Sequence, residues 1–553
     1  MKKRVLALLL AMVLTMSFAL TGCGGGGSSS STSSSSSSGS SDSSAPEDSS
    51  SESSSEPATG DVSWDTSKND EIVVSVINNY YTSGWQKMAE EYTKLHPETK
   101  VIVDVVADND TYTQKMTTWL TADDFSDAAD IVHVNFAAGP VGGYNVMFEK
   151  DMIYDLNDML DETNPYGGGL VRDEFKAEDL KLYQDSGRLY SLPFDWVGVA
   201  IMYNNDILQA NNIDVNTLGD WDTFLAACQT LKDGGMQAPI AATGEASWFI
   251  AALADAALRN DPIYPELLTQ ETDARYNADT MQANVGFKFN EDDWSCDRFV
   301  TMDGERMAAY KQEHACKDAT AIGVWEKFAE FGKYFQTNYV ASASTEVVTS
   351  FELGNSAFLL SGSWNVGQLN SDIAEMGDEG FEWGTISFPN FATAPEGFSS
   401  SAIRGLYVQG NTMGIIKTGD DDHLERVKDF FKYVYCKNGC QTMFDTTLND
   451  GYWVQGPPAI KGVELSPELT AKLEGFVQEG TLQGNFGGMV GQTAYLQEDK
   501  GAYDDATNKL LSGEITAEEF CEIISPIALR QNADTIEKNG YDLDPTTMDE
   551  VKS

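Results

Sequence analysis

The hydrophobic pattern changes period along this chain, and each change marks a segment. Val5 to Leu20 is an almost unbroken apolar run, short for a membrane span, which needs about 20 such residues. From Gly24 to about residue 66 the chain is Gly, Ser, Thr, Asp, Glu and Pro with almost nothing apolar. Such a stretch buries too little surface to offset its ordering entropy. As a flexible tether it reaches roughly 35 Å. Regular alternation then begins. Ile72 to Ile77 reads as a strand. Trp85, Met88, Tyr92 and Leu95 recur at helical spacing. Val101 to Val106 is a second strand, Met116 and Leu120 mark a helix, and Ile131 to Val134 is a third strand. Strand–helix–strand order predicts a parallel sheet with right-handed crossovers. Ligands bind such sheets beyond the C-terminal strand ends, which here carry Asn78, Asn79, Tyr80, Tyr81, Asn135 and Phe136.

Further along, Leu225 to Leu231 is a helical run closed by Gly234 and Gly235. Pro239 to Ala242 reads as a strand, followed by a loop with Glu245 and Trp248. Residues 260–320 show no clear period and read as an insertion. Phe328, Phe331 and Phe335 resume helical spacing. Two later amphipathic helices carry Leu424, Val427, Phe431 and Val434, then Phe520, Ile523, Ile524 and Ile527.

Charge removes some functions. With 36 Lys and Arg against 86 Asp and Glu, the net charge is -50. Nucleic acid is excluded as a partner because phosphate binding needs clustered cations, and direct docking on an anionic bilayer is disfavoured. Lys2, Lys3 and Arg4 ahead of the apolar run make residues 1–22 a secretory signal. Leu20-Thr21-Gly22-Cys23 resembles a bacterial lipobox, which implies a lipidated Cys23. The expected organisation is a signal peptide over 1–22, lipidated Cys23 and tether over 23–66, and a folded region over 67–553. It would be held at the extracellular face of a bacterial membrane, with the long spacer suiting a Gram-positive envelope. The remaining cysteines, Cys228, Cys296, Cys316, Cys436, Cys440 and Cys521, are too few for a disulfide framework. Cys296 with Cys316 is the first pair to test for a disulfide, and Cys436 and Cys440 would share one helix face.

Catalytic signatures are missing from the sequence: there is no G-x-S-x-G, H-E-x-x-H or P-loop. His96, His133, His314 and His423 are scattered without metal-ligand spacing, so neither metal nor cofactor is expected. Asp108-Asn109-Asp110 and Asp420-Asp421-Asp422 read as turns or helix caps rather than calcium loops. Carboxylate pairs of the glycosidase kind carry little weight among so many acids.

Three segments together resemble the extracellular solute-binding protein family of ABC importers, in the sugar-binding branch that includes maltose-binding protein. Leu192-Pro193-Phe194-Asp195-Trp196, running on through Tyr203-Asn204-Asn205-Asp206, is similar to the family's lobe-crossing strand. Phe351 to Trp364 resembles its F-x-x-G-x-A…G-x-W segment. Phe388-Pro389, Met413 to Ile416 and the helix from Leu424 match the return crossover. The resemblance implies an α/β, two-lobed periplasmic-binding-protein-like fold of type II, with lobes joined by hinge strands and a ligand cleft between them. One lobe would span about 67–197 and 408–452, the other about 198–407 and 453–553. It also implies a monomer without catalytic activity that hands a small solute, a mono- or oligosaccharide, to ABC permease subunits. A secreted glycoside hydrolase or a surface polysaccharide-binding lipoprotein is the alternative.

A sugar offers hydroxyl rims and apolar C–H faces, so its site needs flat aromatics and hydrogen-bonding side chains. Trp364 matches the stacking Trp of the G-x-W segment; the competing reading is a core Trp at a helix start. Asp195 and Trp196 lie at the first crossover, where Asp195 is either a ligand group or a hinge carboxylate. Asn79, Tyr80 and Asn135 come from strand ends of the first lobe, and Glu245 and Trp248 from the second. Arg404 either forks to the ligand or pairs with an acid. Trp453 is a further aromatic candidate.

Overall fold

The computed structural model describes residues 62–121, 125–134, 144–176, 180, 184–185, 188–270, 289–290, 302–337, 339–481, 486–492 and 497–544. Cys23, Asn135 and Cys296 lie outside them.

The chain lays down β1 (Asp70–Ile77), β2 (Thr99–Val106), β3 (Ile131–His133) and β4 (Leu192–Pro193) in one sheet. It crosses to a second sheet for β5 (Trp196–Asn204), β6 (Ile240–Ala242), β7 (Phe358–Gly362), β8 (Trp383–Ile386) and β9 (Leu406–Gln409). It returns to the first for β10 (Thr412–Ile415) and later adds β11 (Gly480–Thr481) to the second. The strand orders are β2-β1-β3-β10-β4 and β11-β9-β5-β7-β6, with β8 also paired to β5. As the strand–helix–strand pattern predicts, β1 is parallel to β2 and β3. The returning β10 is antiparallel to β3 and β4, so the sheet is mixed.

Helices α1 (Thr82–Leu95) and α2 (Asn109–Thr121) pack on the first sheet. The second is joined by α3 (Trp221–Asp233), α4 (Ala246–Leu258), α5 (Gly304–His314), α6 (Ala319–Gly332) and α7 (Val366–Glu375). Then α8 (Asp421–Val434) and α9 (Lys437–Asn449) come back to α1, and α10 (Ala517–Asn539) packs on α5 and α6. Helix α1 turns Trp85, Met88 and Tyr92 inward, the apolar set its spacing predicts. The second core holds an aromatic cluster in which Phe224 and Phe331 stack at 5.3 Å and Phe249 meets Phe331 at 4.4 Å. Burying each such ring contributes roughly 1.5–3 kcal/mol. The acidic runs are caps: Asp108 accepts the Thr111 N–H at 2.8 Å, and Asp420 accepts that of His423 at 3.0 Å.

Several boundaries differ from the pattern. Trp64, expected in the tether, is buried, with its indole N–H on Glu98 at 3.0 Å. Residues 304–314, expected to be irregular, are helix α5. Its period is weak because its contact with α10 is partly polar: Asn532 donates to the Ala308 carbonyl at 2.9 Å. Phe335 lies past the end of α6, yet its ring still meets Phe331 at 5.8 Å. Cys436 caps α9 rather than sharing its face with Cys440.

Candidate functional site

The chain changes sheet at Phe194–Asp195 and again at Gly410–Asn411, and the segment 455–458 lies alongside. Asp195 joins all of these. Its backbone carbonyl accepts the Gly410 N–H at 2.9 Å. Its carboxylate accepts the Asn411 N–H at 2.8 Å, the Gln455 N–H at 2.9 Å and the Tyr81 hydroxyl. A Cβ on Gly410 would stand 2.1 Å from Asp195 Oδ1, so only glycine fits there. Asp195 is fully buried, and burial pushes its carboxyl up to about 7 against these hydrogen bonds. The hinge-carboxylate reading of Asp195 is the one its surroundings match. Trp196 is also buried, its ring edge-on to Tyr407 at 5.1 Å.

Next to this hub the chain leaves β1 through a kinked turn. Asn79 and Tyr81 have φ of 74° and 55°, the left-handed region. Between them Tyr80 is held out, half-buried, while Asn79 is exposed. Trp453 bridges to this turn: its N–H donates to the Asn79 carbonyl at 2.9 Å, and its ring lies edge-on to Tyr80 at 6.2 Å. Trp453 also touches the first turn of α7, where a Cβ on Gly367 would come within 3.0 Å of it. Burial, then the charges of Asp195 and Glu245, push the Tyr80 hydroxyl up to about 12. The hydroxyl of one sheet's loop is therefore electrostatically coupled to a carboxylate of the other.

From the second sheet come Glu245, Trp248 and Trp364, all half-buried. Glu245 immediately precedes α4 and Trp248 sits in its first turn, so this is a helix start rather than a loop. The Thr243 hydroxyl donates to the Glu245 carboxylate. Burial raises Glu245 to about 7, opposed by its own backbone amide and the Trp364 side chain. Trp364 follows β7 in a short 3-10 turn, and its ring meets Trp248 at 6.2 Å and 62°. That ring folds back over Gly362, where a Cβ would lie 2.2 Å from it, which gives the glycine of G-x-W a physical reason.

Arg404 is not with this group. It is buried and holds Asp255 with two parallel bonds of 3.0 and 2.8 Å, while Arg259 grips the same carboxylate. Its guanidinium lies over Phe289 at 5.0 Å. Tyr81 is a residue that sequence reasoning passed over as a supporting group. Its place beside Tyr80 was visible, but its reach to Asp195 depends on the fold. A groove of about 480 Å³ at the other end of β1 is lined by Asp70, Asp130 and His423. These groups bind each other: His423 bridges Asp70 at 2.6 Å and Asp130 at 2.9 Å.

Two sheets joined by crossing strands, with aromatic and carboxylate side chains converging from both, define a two-lobed ligand-binding protein. Residues 78–436 match the family described as "Bacterial extracellular solute-binding protein", and the chain belongs to that family. It is a family of binding proteins, in keeping with the expectation that the chain is not an enzyme. No curated protein sequence matches the chain. Among solved structures it is similar to a chitin oligosaccharide binding protein, at 19% identity and a TM-score of 0.53, covering 84% of this chain and 99% of that one. RafE in complex with raffinose is similar at 15% identity and a TM-score of 0.52, over 83% of this chain and 100% of its own. Cyclic alpha-maltosyl-1,6-maltose binding protein from Arthrobacter globiformis matches at 15% identity and a TM-score of 0.50, over 84% and 100%. At such identities the likeness shows the shared fold. Among the described residues no helix is long and apolar enough to cross a membrane.

Proposed function

We propose that this protein is the capture receptor of an ABC importer, taking a mono- or oligosaccharide between its lobes and held at the membrane by lipid on Cys23. The observation that carries the sugar reading is that half-buried Tyr80, with Trp453 edge-on to it, feels the charge of Glu245, which lies with Trp248 and Trp364. The rings offer faces to sugar C–H surfaces, and Glu245 and the Tyr80 hydroxyl bond to hydroxyls. Asn79 extends the polar rim, while Asn135, the other strand-end candidate, lies outside the described residues. Asp195 and Trp196 act as hinge supports, and Arg404 as a core ion pair of the second lobe. The first lobe comprises about 67–197 and 408–452, and the second about 198–407 and 453–553. Binding favours closure because ligand contacts both lobes only in the closed form. The similar structures named for chitin oligosaccharide, raffinose and a cyclic maltosyl-maltose support a carbohydrate ligand.

The test is a thermal-shift screen of the secreted protein against mono- and oligosaccharides. At 100 times its dissociation constant a ligand adds about 2.7 kcal/mol of stability. A hit without turnover, clearly diminished in Trp364→Ala, is the expected result. Cleavage of the saccharide in the same wells would establish a glycosidase instead. Silence across the panel would turn the search to non-sugar solutes.

A further inference from the structure

Cys316 and Cys521 lie 205 residues apart in sequence, yet their Sγ atoms are 3.0 Å apart. That leaves about 1 Å to the ~2.05 Å of a disulfide. Both side chains are buried. Cys316 sits at the joint between α5 and α6, where Ala315 and Cys316 both take positive φ (35° and 59°) and turn the chain toward α10. Cys521 lies in the first turns of α10. Gly491 closes over the pair, with room for no Cβ: one would stand 2.6 Å from Cys316 Sγ. The other described cysteines are placed differently. Cys436 accepts the Gly439 N–H at 3.2 Å as a helix cap, and Cys228 and Cys440 are each buried in a core.

We infer that Cys316 and Cys521 form a disulfide in the secreted protein, stapling the C-terminal helix α10 to the α5–α6 joint of the second core. An extracellular binding protein folds where disulfides persist. The oxidant is a disulfide-bearing thiol oxidant outside the membrane. One cysteine thiolate attacks the oxidant's disulfide, forming a mixed disulfide and releasing one oxidant thiolate. The second cysteine thiolate then displaces the remaining oxidant sulfur. The protein loses two protons and two electrons, and the oxidant leaves as two thiols. The neighbouring Cys521 thiol and burial hold the Cys316 thiol above its ordinary range. The cross-link differs from Cys296–Cys316, the first pair to test from the sequence; Cys296 lies outside the described residues.

The experiment uses the full chain recovered from the cell exterior, and in parallel the chain refolded with reduced and oxidised glutathione. Free thiols are alkylated under denaturing conditions, and non-reducing peptide maps are read by mass spectrometry. The expected map joins the Cys316 peptide to the Cys521 peptide, two hydrogens lighter than their sum, with Cys228, Cys436 and Cys440 alkylated. A reductant should lower the thermal midpoint of the parent and leave that of C316S/C521S unmoved. Alkylation of both Cys316 and Cys521 in both preparations overturns the inference, and so does a Cys296–Cys316 link.

Discussion

Asp195 and Asn411 stand on opposite crossings between the two sheets, yet the Asn411 backbone N–H donates to the Asp195 carboxylate at 2.8 Å. Because the same carboxylate takes the Gln455 N–H and the Tyr81 hydroxyl, one side chain ties the inter-sheet segments to the loop that presents Tyr80. The crossings between the sheets and the loop that carries Tyr80 are thus set together.

This hub has no room beside it. Gly410→Ala places a methyl within 2.1 Å of Asp195 Oδ1, and relieving that overlap breaks the Asn411 bond. Leaving buried donors unpaired costs about 1–3 kcal/mol each. We expect Gly410→Ala to lower the denaturant midpoint by an amount corresponding to about 2 kcal/mol or more, measured by urea unfolding. An unchanged midpoint would contradict the hub.

The stacking wall can be perturbed in two ways. Trp364→Ala should weaken ligand binding roughly 10-fold or more, the scale of an aromatic contact and its buried area. Gly362→Val should produce a similar loss by driving the Trp364 ring off its seat, where even a Cβ would meet it at 2.2 Å. Titration calorimetry on both variants checks this, with far-UV circular dichroism confirming the fold. Binding retained in both would remove Trp364 from the site.

Glu245 ties stability to pH. Its folded value is raised to about 7 from 4.5, so the folded state holds a proton that the unfolded state has released between those values. The stability this contributes is complete below about pH 4.5 and is lost as pH rises toward 7. Glu245→Gln should flatten the fall of stability with pH over this window by ~2 kcal/mol, allowing for its partial exposure. Parallel slopes for parent and variant would show that Glu245 titrates normally.

His423 works at a different pH. Burial opposes its protonation, but the hydrogen bonds and charges of Asp130 and then Asp70 push it up to about 9. A raised histidine contributes stability that is fully present below about pH 6.5 and is lost as pH passes through 9. Asp70 is partly exposed, so screening reduces the effect to about 1–2 kcal/mol. His423→Gln should lower the melting temperature at pH 6 and much less at pH 9.5, without altering ligand affinity.

Arg404 separates a core role from a ligand role. It is buried on Asp255, which Arg259 also holds. Removing one partner of a buried ion pair costs about 3–5 kcal/mol. Arg404→Met should therefore destabilise strongly. At a temperature where it remains folded, it should bind ligand as the parent does. A weakened affinity in folded Arg404→Met would return the residue to the cleft.

The sequence by itself determined the local elements and their order. The β-rich run of Ile72 to Ile77, the spacing of Trp85, Met88 and Tyr92, and the cap at Asp420 all act through neighbours a few residues away. The G-x-W segment and the lobe-crossing strand were legible as motifs for the same reason. Helix α5 was not, because its apolar period is diluted where polar groups meet α10. Only the tertiary structure decided which partners the polar residues take. Asp195 and Arg404 are ionisable, hydrogen-bonding side chains as Glu245 is, yet one is consumed by the crossings between the sheets and the other by Asp255. Their partners lie 216 and 149 residues away in the chain. The same holds for Cys316 and Cys521. A buried charge or thiol is defined by what surrounds it, and those surroundings assemble only when distant segments pack.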